Sequence, residues 1–211
     1  MGHVADPEYG APSFKKLLSK GYAEEVRGCI LPDRAMVGPT GTGLAGRGDT
    51  AYFTVADSSR NVVSFINSLC DAFGSGMVVD GTGICLQNRG KFFSVDADHP
   101  NCLRPHKRPY HTIIPAMIFR NRRPFVSFGV MGGLMQPQGH VQFVVNLASF
   151  AMNLQEALDA PRFRYLGGRD VALEDAVPAS ARRVLRAKGH RVTGQSNCLL
   201  YTSPSPRDRT R

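Results

Sequence analysis

The spacing of apolar residues changes character along the chain, and each change predicts an element. Over residues 12–30, Phe14, Leu17, Leu18, Tyr22 and Val26 recur at helical spacing. The run PTGTGLAGRG (39–48) follows, rich in glycine and almost without packing side chains, which predicts a flexible loop. From Asp49 the texture becomes β-like. TAYFTVA (50–56) and NVVSFIN (61–67) flank the turn-forming Asp57, Ser58, Ser59 and Arg60, the pattern of a hairpin shaped by Asp57 and Asn61. Further strands are predicted at 84–87, 113–119 and 124–131, the last two joined by a polar turn. Val141, Val144, Val145 and Ala148 share one face of a helix predicted over 138–152, with Phe143, Phe150 and Met152 as its core. A helix at 154–160 stops at Pro161, a strand follows at 171–173, and a helix over 178–188 closes on Gly189 after basic residues. This order predicts a layered α/β sandwich and not a repeat protein.

Composition narrows the partners. The net charge is +9, and residues 100–155 contain no acid, while Arg104, Lys107, Arg108, Arg120, Arg122 and Arg123 are basic. Aromatic residues do not interleave with these bases, and no helix-turn-helix or RRM signature is present. A subunit surface or a site for carboxylates is therefore expected, with no nucleic acid. No run of about 18 uncharged apolar residues exists, so no membrane-spanning helix is expected. No apolar h-region opens the chain, which favours the cytoplasm and leaves the compartment open. The five cysteines form no C-x-x-C pair, and Cys102, His106 and His111 fit no zinc module, with Pro105 and Pro109 breaking any helix that would align them. The glycine pairs lack the Lys-Ser/Thr of a phosphate loop. No metal or cofactor is expected.

The C-terminal stretch looks foreign to the rest. CLLYTSPSPRD (198–208) resembles one translated frame of a transposase sequencing adapter. Residues 198–211 are accordingly read as a non-native tail, and the native chain is expected to run on past Asn197.

The sharpest chemical feature is a strand that opens on Thr50, directly after a glycine-rich linker and Gly48-Asp49. A self-cleaving N-terminal nucleophile needs this arrangement. The Thr hydroxyl attacks the preceding carbonyl, and the α-amine set free, with an ordinary pKa of about 7.7–8.0, then serves as the hydroxyl's base. A Thr opening a strand is more often only a β-former, and Cys70 is a rival nucleophile, although no base lies near it in sequence. His140, near the start of its helix, could face the site or serve equally well as a solvated or capping residue, and an acid–base role for Asp57 or Asn61 needs geometry that sequence does not supply.

The neighbours of Thr50 raise its odds. Asp49-Thr50, Val55-x-Asp57, Asn61, Phe73-Gly74-Ser75-Gly76, Gly83-Ile84, Lys107-Arg108-Pro109, Pro115 and Gly129-x-x-Gly132-Gly133 come in an order that resembles the γ-glutamyltranspeptidase family of N-terminal-nucleophile hydrolases. FGSGMVVDGTGICLQNRGKFFS and GVMGGLMQPQGHVQ resemble its cephalosporin-acylase-like and bacterial γ-glutamyltransferase-like branch, and the likeness covers about residues 1–197. The resemblance implies an αββα sandwich. In that scheme residues 1–49 are the end of a large subunit with its processing linker, and 50–197 are a catalytic small subunit. It implies cleavage between Asp49 and Thr50, with Thr50 as nucleophile and Ser68 as the hydroxyl bonded to it. Gly132 and Gly133 match the pair whose N–H groups form the oxyanion hole, and His111 and Thr112 fall where two serines bind the substrate carboxylate. The large subunit cut from the same precursor is the implied partner.

Three positions depart from the family pattern. Transpeptidases hold the glutamyl group with an Asn, a Gln and an Asp where this chain has Cys70, Arg89 and Phe92. Loss of the Asp removes the natural partner of a substrate ammonium, while Arg89 offers a planar fork for a carboxylate. Hydrolysis of a glutaryl-like or γ-glutamyl-like amide is expected, with water favoured over a peptide acceptor. The other readings are a basic binding module without catalysis and an inactive fragment of such an enzyme.

Overall fold

A computed structural model describes residues 4–9, 14–36 and 48–195. The loop expected at 39–48 lies outside the described residues except Gly48, which opens the first strand instead, and the tail at 198–211 lies outside them altogether.

Strands β1 (Gly48–Ala56) and β2 (Val62–Asp71) form the hairpin expected from their Val, Thr and aromatic content. Its turn is closed by Asp57, which accepts from the Asn61 N–H at 2.8 Å and from Asn61 Nδ2 at 2.7 Å. The Asn61 side chain and then its backbone N–H hold the Asp57 carboxyl below the ordinary carboxylate value. One face of the hairpin carries Phe53 stacked on Phe65, ring centroids 4.7 Å apart, with Val55 and Val63 beside them. The opposite face carries Thr50, Tyr52, Ser64, Ile66 and Ser68.

A short ribbon, β3 (Val78–Val79) and β4 (Ile84–Cys85), precedes a second hairpin of β5 (Ala116–Arg120) and β6 (Arg123–Phe128). β5 starts three residues later than the pattern predicts, because Pro115 has no N–H to give to a ladder. Asn121 and Arg122 make the tight connection, with φ of 51° and 64°. The two hairpins meet through side chains and not through backbone pairing. Ser64 Oγ donates to the Ala116 carbonyl at 3.0 Å, and the Tyr52 and Ser127 hydroxyls lie 2.7 Å apart. Gly129 is pressed against the Tyr52 ring, where a Cβ would come within 2.5 Å, so only glycine fits there.

The rest is α3 (Met135–Ala148), α4 (Leu154–Asp159), β7 (Phe163–Gly167), β8 (Asp170–Glu174), α5 (Ala179–Ala187) and β9 (Arg191–Gln195). β7 and β8 are antiparallel, and β9 returns parallel to β8 after α5. Helix α4 begins with a full capping box, in which the Asn153 side chain accepts from the Glu156 N–H and Glu156 accepts from the Asn153 N–H. Val126, Phe143 and Ala157 form one core, joined by Ile118, Phe128, Leu147 and Met152, and Val130, Met135 and Ala172 form another.

Three expectations need correction. The helix over 12–30 is two short ones among the described residues, α1 (Phe14–Leu17) and α2 (Lys20–Gly28), because Ser19 turns out to cap the Tyr22 N–H and ends the first. Helix α3 buries Met135, Gln136, Gly139 and Phe143, whereas Val141, Val144 and Val145 face outward, Val141 being 62% exposed, and Phe150, expected in its core, lies past its end and is exposed. Periodicity finds an apolar stripe but cannot say whether an element covers it. β7 and β9 carry no alternating pattern strong enough to announce them, and pairing with β8 makes them strands.

Candidate active site

Opposite the proposed cleavage point, the β1–β2 ladder slips. Asp49 faces Cys70 and Thr50 faces Ser68, so Leu69 is an extra residue on β2. Cys70 beside it has φ of 78°, in the left-handed region that non-glycine residues avoid. The bulge re-aims Ser68, whose Oγ lies 2.9 Å from Thr50 Oγ1 and accepts the Cys70 N–H at 3.0 Å.

Behind Ser68 stands Arg89, only 3% exposed. Its Nη2 donates to Ser68 Oγ at 2.9 Å and its Nη1 to Thr112 Oγ1 at 2.6 Å. Burial pulls the guanidinium below its ordinary pKa, while Cys70 and then Asp71 push the other way. Asp71 itself is engaged by Lys91 and by Asn88 Nδ2 at 2.6 Å, which hold its carboxyl below the ordinary value. No carboxylate among the described side chains lies within ion-pair distance of Arg89.

Ser68, Arg89, Gln87, His111 and Tyr110 line an open cavity of about 540 Å³ together with Asp6 and Arg108. His111 lies below the ordinary histidine pKa, first through partial desolvation and then through the Arg89 charge, so it is neutral at pH 7. Thr112 is buried and turned onto Arg89 instead of the cavity. Phe92 packs edge-on against Tyr110, ring centroids 5.8 Å apart.

Gly132 and Gly133 sit on the loop between β6 and α3 with φ of 116° and 59°. Their carbonyls accept the first N–H groups of α3, from Met135 at 3.0 Å and Gln136 at 3.1 Å. Among the described residues neither glycine N–H has an acceptor, which leaves two backbone donors free for an anion. Contacts thus gather Thr50, Ser68, Arg89, Thr112 and His111 into one cluster. On the same loop, Gly129 packs against Tyr52 of the first hairpin.

Sequence reasoning missed one wall of the cavity. The buried Asp6 carboxylate accepts from the Arg108 N–H at 2.9 Å, from Nε at 3.0 Å and from Nη2 at 2.9 Å. Tyr9 adds a bond from its hydroxyl to the Pro105 carbonyl at 3.1 Å, and Lys107 lies 4.8 Å over its ring. Residues before the proposed cleavage point are therefore clasped to the loop that carries His111 and Thr112. Lone acid and base letters a hundred residues apart gave no signal of this. The basic run is also partly used inside the chain, since Arg104 bonds Cys102 and Arg120 stacks on Phe125.

The Asp6 clasp has a pH signature. Arg108 holds the Asp6 carboxyl far below its ordinary value of 3.8, so the stabilisation is complete above that value and fades as pH falls beneath it. Asp6→Asn is expected to lower Tm at pH 7, and the gap from the parent should close in melts taken progressively below about pH 4.

The γ-glutamyltranspeptidase pattern matches residues 1–200. The chain belongs to the gamma-glutamyltranspeptidase family. Its architecture is that family's α/β, N-terminal-nucleophile-hydrolase fold. The crystal structure of cephalosporin acylase from Bacillus halodurans superposes with a TM-score of 0.83 at 43% identity, over 93% of this chain and 35% of that one. The glutathione hydrolase-like YwrD proenzyme of Bacillus subtilis (strain 168) is 38% identical over 76% of the chain and 30% of its own length. The oxamate amidohydrolase proenzyme of Klebsiella pneumoniae is 37% identical over 76% of the chain and 30% of its own length. The chain spans about a third of the length of the γ-glutamyltranspeptidase-family relatives it matches. Hydrolases made as proenzymes are thus its kin.

Proposed function

We propose that the chain belongs to a self-processing amidohydrolase in which Thr50 is the nucleophile. The observation that carries this reading is the Thr50 hydroxyl held 2.9 Å from Ser68 at a break in the ladder, beside a cavity with a buried Arg89. In processing, Thr50 Oγ1 bonds to the Asp49 carbonyl carbon, the Asp49–Thr50 C–N bond breaks, and the hydroxyl proton ends on the freed nitrogen. Water then cleaves the resulting ester, leaving the Asp49 carboxylate and a Thr50 α-amine. In the mature enzyme that amine takes the hydroxyl proton while Oγ1 attacks the substrate amide, and later returns it to the leaving amine. Gly132 and Gly133 N–H groups receive the oxyanion.

The acyl group is one that ends in a carboxylate. Arg89 uses two of its five N–H donors on Ser68 and Thr112, and it lines the cavity without an acidic partner among the described side chains. The neutral His111 adds no competing charge. Phe92 leaves no acid at its position for an α-ammonium. The substrate in one relative's name fits this class, since oxamate is an amide bearing a carboxylate. Water is the favoured acceptor.

The partner is the large subunit of the same precursor. The exposed apolar face of the first hairpin (Phe53, Val55, Val63 and Phe65) supports it, as does the proenzyme nature of the relatives. As a separate polypeptide, with that face uncovered, the chain is proposed to be inactive.

Glutaryl and γ-glutamyl anilides, compared on the complete enzyme, test the substrate. The glutaryl compound should show the higher kcat/KM, by roughly tenfold or more if an ammonium in the site lacks its partner. Preference for γ-glutamyl, with transfer to glycylglycine, would reject the assignment.

A further inference from the structure

Counting protons around Ser68 assigns a direction to its contact with Thr50. A serine hydroxyl has one proton to give and two lone pairs to accept with. Both acceptor sites are taken by N–H donors, the Cys70 backbone at 3.0 Å and Arg89 Nη2 at 2.9 Å. Ser68 therefore donates its own proton across the 2.9 Å gap to Thr50 Oγ1. Thr50 Oγ1 is the acceptor, and its own proton remains free for transfer.

We infer that Arg89 is a positioning residue for the nucleophile, acting through Ser68 in a donor chain Arg89→Ser68→Thr50 that favours the alkoxide. This rests on the reading of Thr50 as nucleophile and is separate from any contact between Arg89 and substrate. The guanidinium pins Ser68 in the orientation that donates, and its charge polarises the Ser68 O–H. A donor aimed at Oγ1 strengthens as negative charge builds there, so its weight falls on the transition state. Thr112 keeps the fork from rotating, because it holds Nη1 while Nη2 holds Ser68. The alignment exists in the uncleaved chain, with Thr50 still inside β1, so it serves self-cleavage before it serves turnover.

Self-cleavage involves no added carboxylate, which separates this role from substrate binding. In purified complete precursor, Arg89→Met should slow the first-order appearance of the new Thr50 N-terminus by about ten- to a hundredfold. The processed fraction should lose kcat by a similar factor on both glutaryl and butyryl anilides, the second having no carboxylate. Arg89→Lys, which keeps a charge and a donor, should recover part of the loss and, with melting close to the parent's, carries the test if Arg89→Met does not fold. In a Ser68→Ala background, Arg89→Met should add less than about a twofold further effect, because the chain is already broken.

Unchanged processing in Arg89→Met, a loss confined to KM for the glutaryl compound, or full additivity with Ser68→Ala would each overturn the inference. Failure of the underlying reading looks different, since Thr50→Ala precursor would then still be cut between Asp49 and Thr50.

Discussion

Thr50→Ala in the complete precursor is expected to abolish self-cleavage and to cut amidase activity by roughly 10⁴- to 10⁶-fold. Removal of Oγ1 takes away the attacking atom in both reactions, and no relay can substitute for it. Cys70 is the rival that this variant tests: it faces Asp49 across the ladder and gives its N–H to Ser68, and a Cys70 nucleophile would leave Thr50→Ala able to cleave. The measurement is mass analysis and N-terminal sequencing of the smaller band. The parent should expose Thr50-Ala51-Tyr52, and the variant should remain one uncut chain with unchanged melting. Cleavage at the same bond in Thr50→Ala would remove the nucleophile assignment altogether.

The second large effect is expected at the glycine pair. Gly132→Ala should lower kcat by about 10²- to 10³-fold with little change in KM, the cost of misplacing one oxyanion donor. Its φ of 116° is outside what an alanine tolerates, so the added methyl must turn the peptide and swing the N–H away. Gly133 has φ of 59°, a left-handed value that alanine reaches at a cost of roughly 1–2 kcal/mol. Gly133→Ala should therefore be the milder of the two. Rates measured on fully processed protein, with melting temperatures alongside, distinguish lost oxyanion binding from lost folding. Equal and small effects at both positions would argue that the pair only turns the chain into α3.

The clasp between Asp6 and Arg108 carries a consequence for subunit organisation. After cleavage at Asp49–Thr50 the two residues would belong to different polypeptides, yet they hold a wall of the same cavity. A cut chain can thus keep its site shape through a buried carboxylate met by three N–H donors. The polar face of the first hairpin, with Tyr52 and Ser64 bonded to the second hairpin, supplies the rigid support on which Thr50 and Ser68 are aligned.

Much of this was legible in the residues alone. Alternating Val, Thr and aromatic letters announced the hairpin that presents Thr50, and the Asp57-to-Asn61 turn closes as its chemistry required. Glycine-rich phrases and the Asp49-Thr50 junction pointed to the family. Such features are local, because backbone preference, turn chemistry and motif spacing depend on neighbours in sequence. What only tertiary structure decided is which of those residues meet. That Leu69 is the bulged residue, that Arg89 donates to both Ser68 and Thr112, that Asp6 returns to close the cavity, and that the Val141 face of α3 looks outward all depend on contacts between distant segments. Burial and hydrogen-bond direction are properties of the assembled neighbourhood. The letters name the donors and acceptors, and the fold alone says which partner satisfies each one.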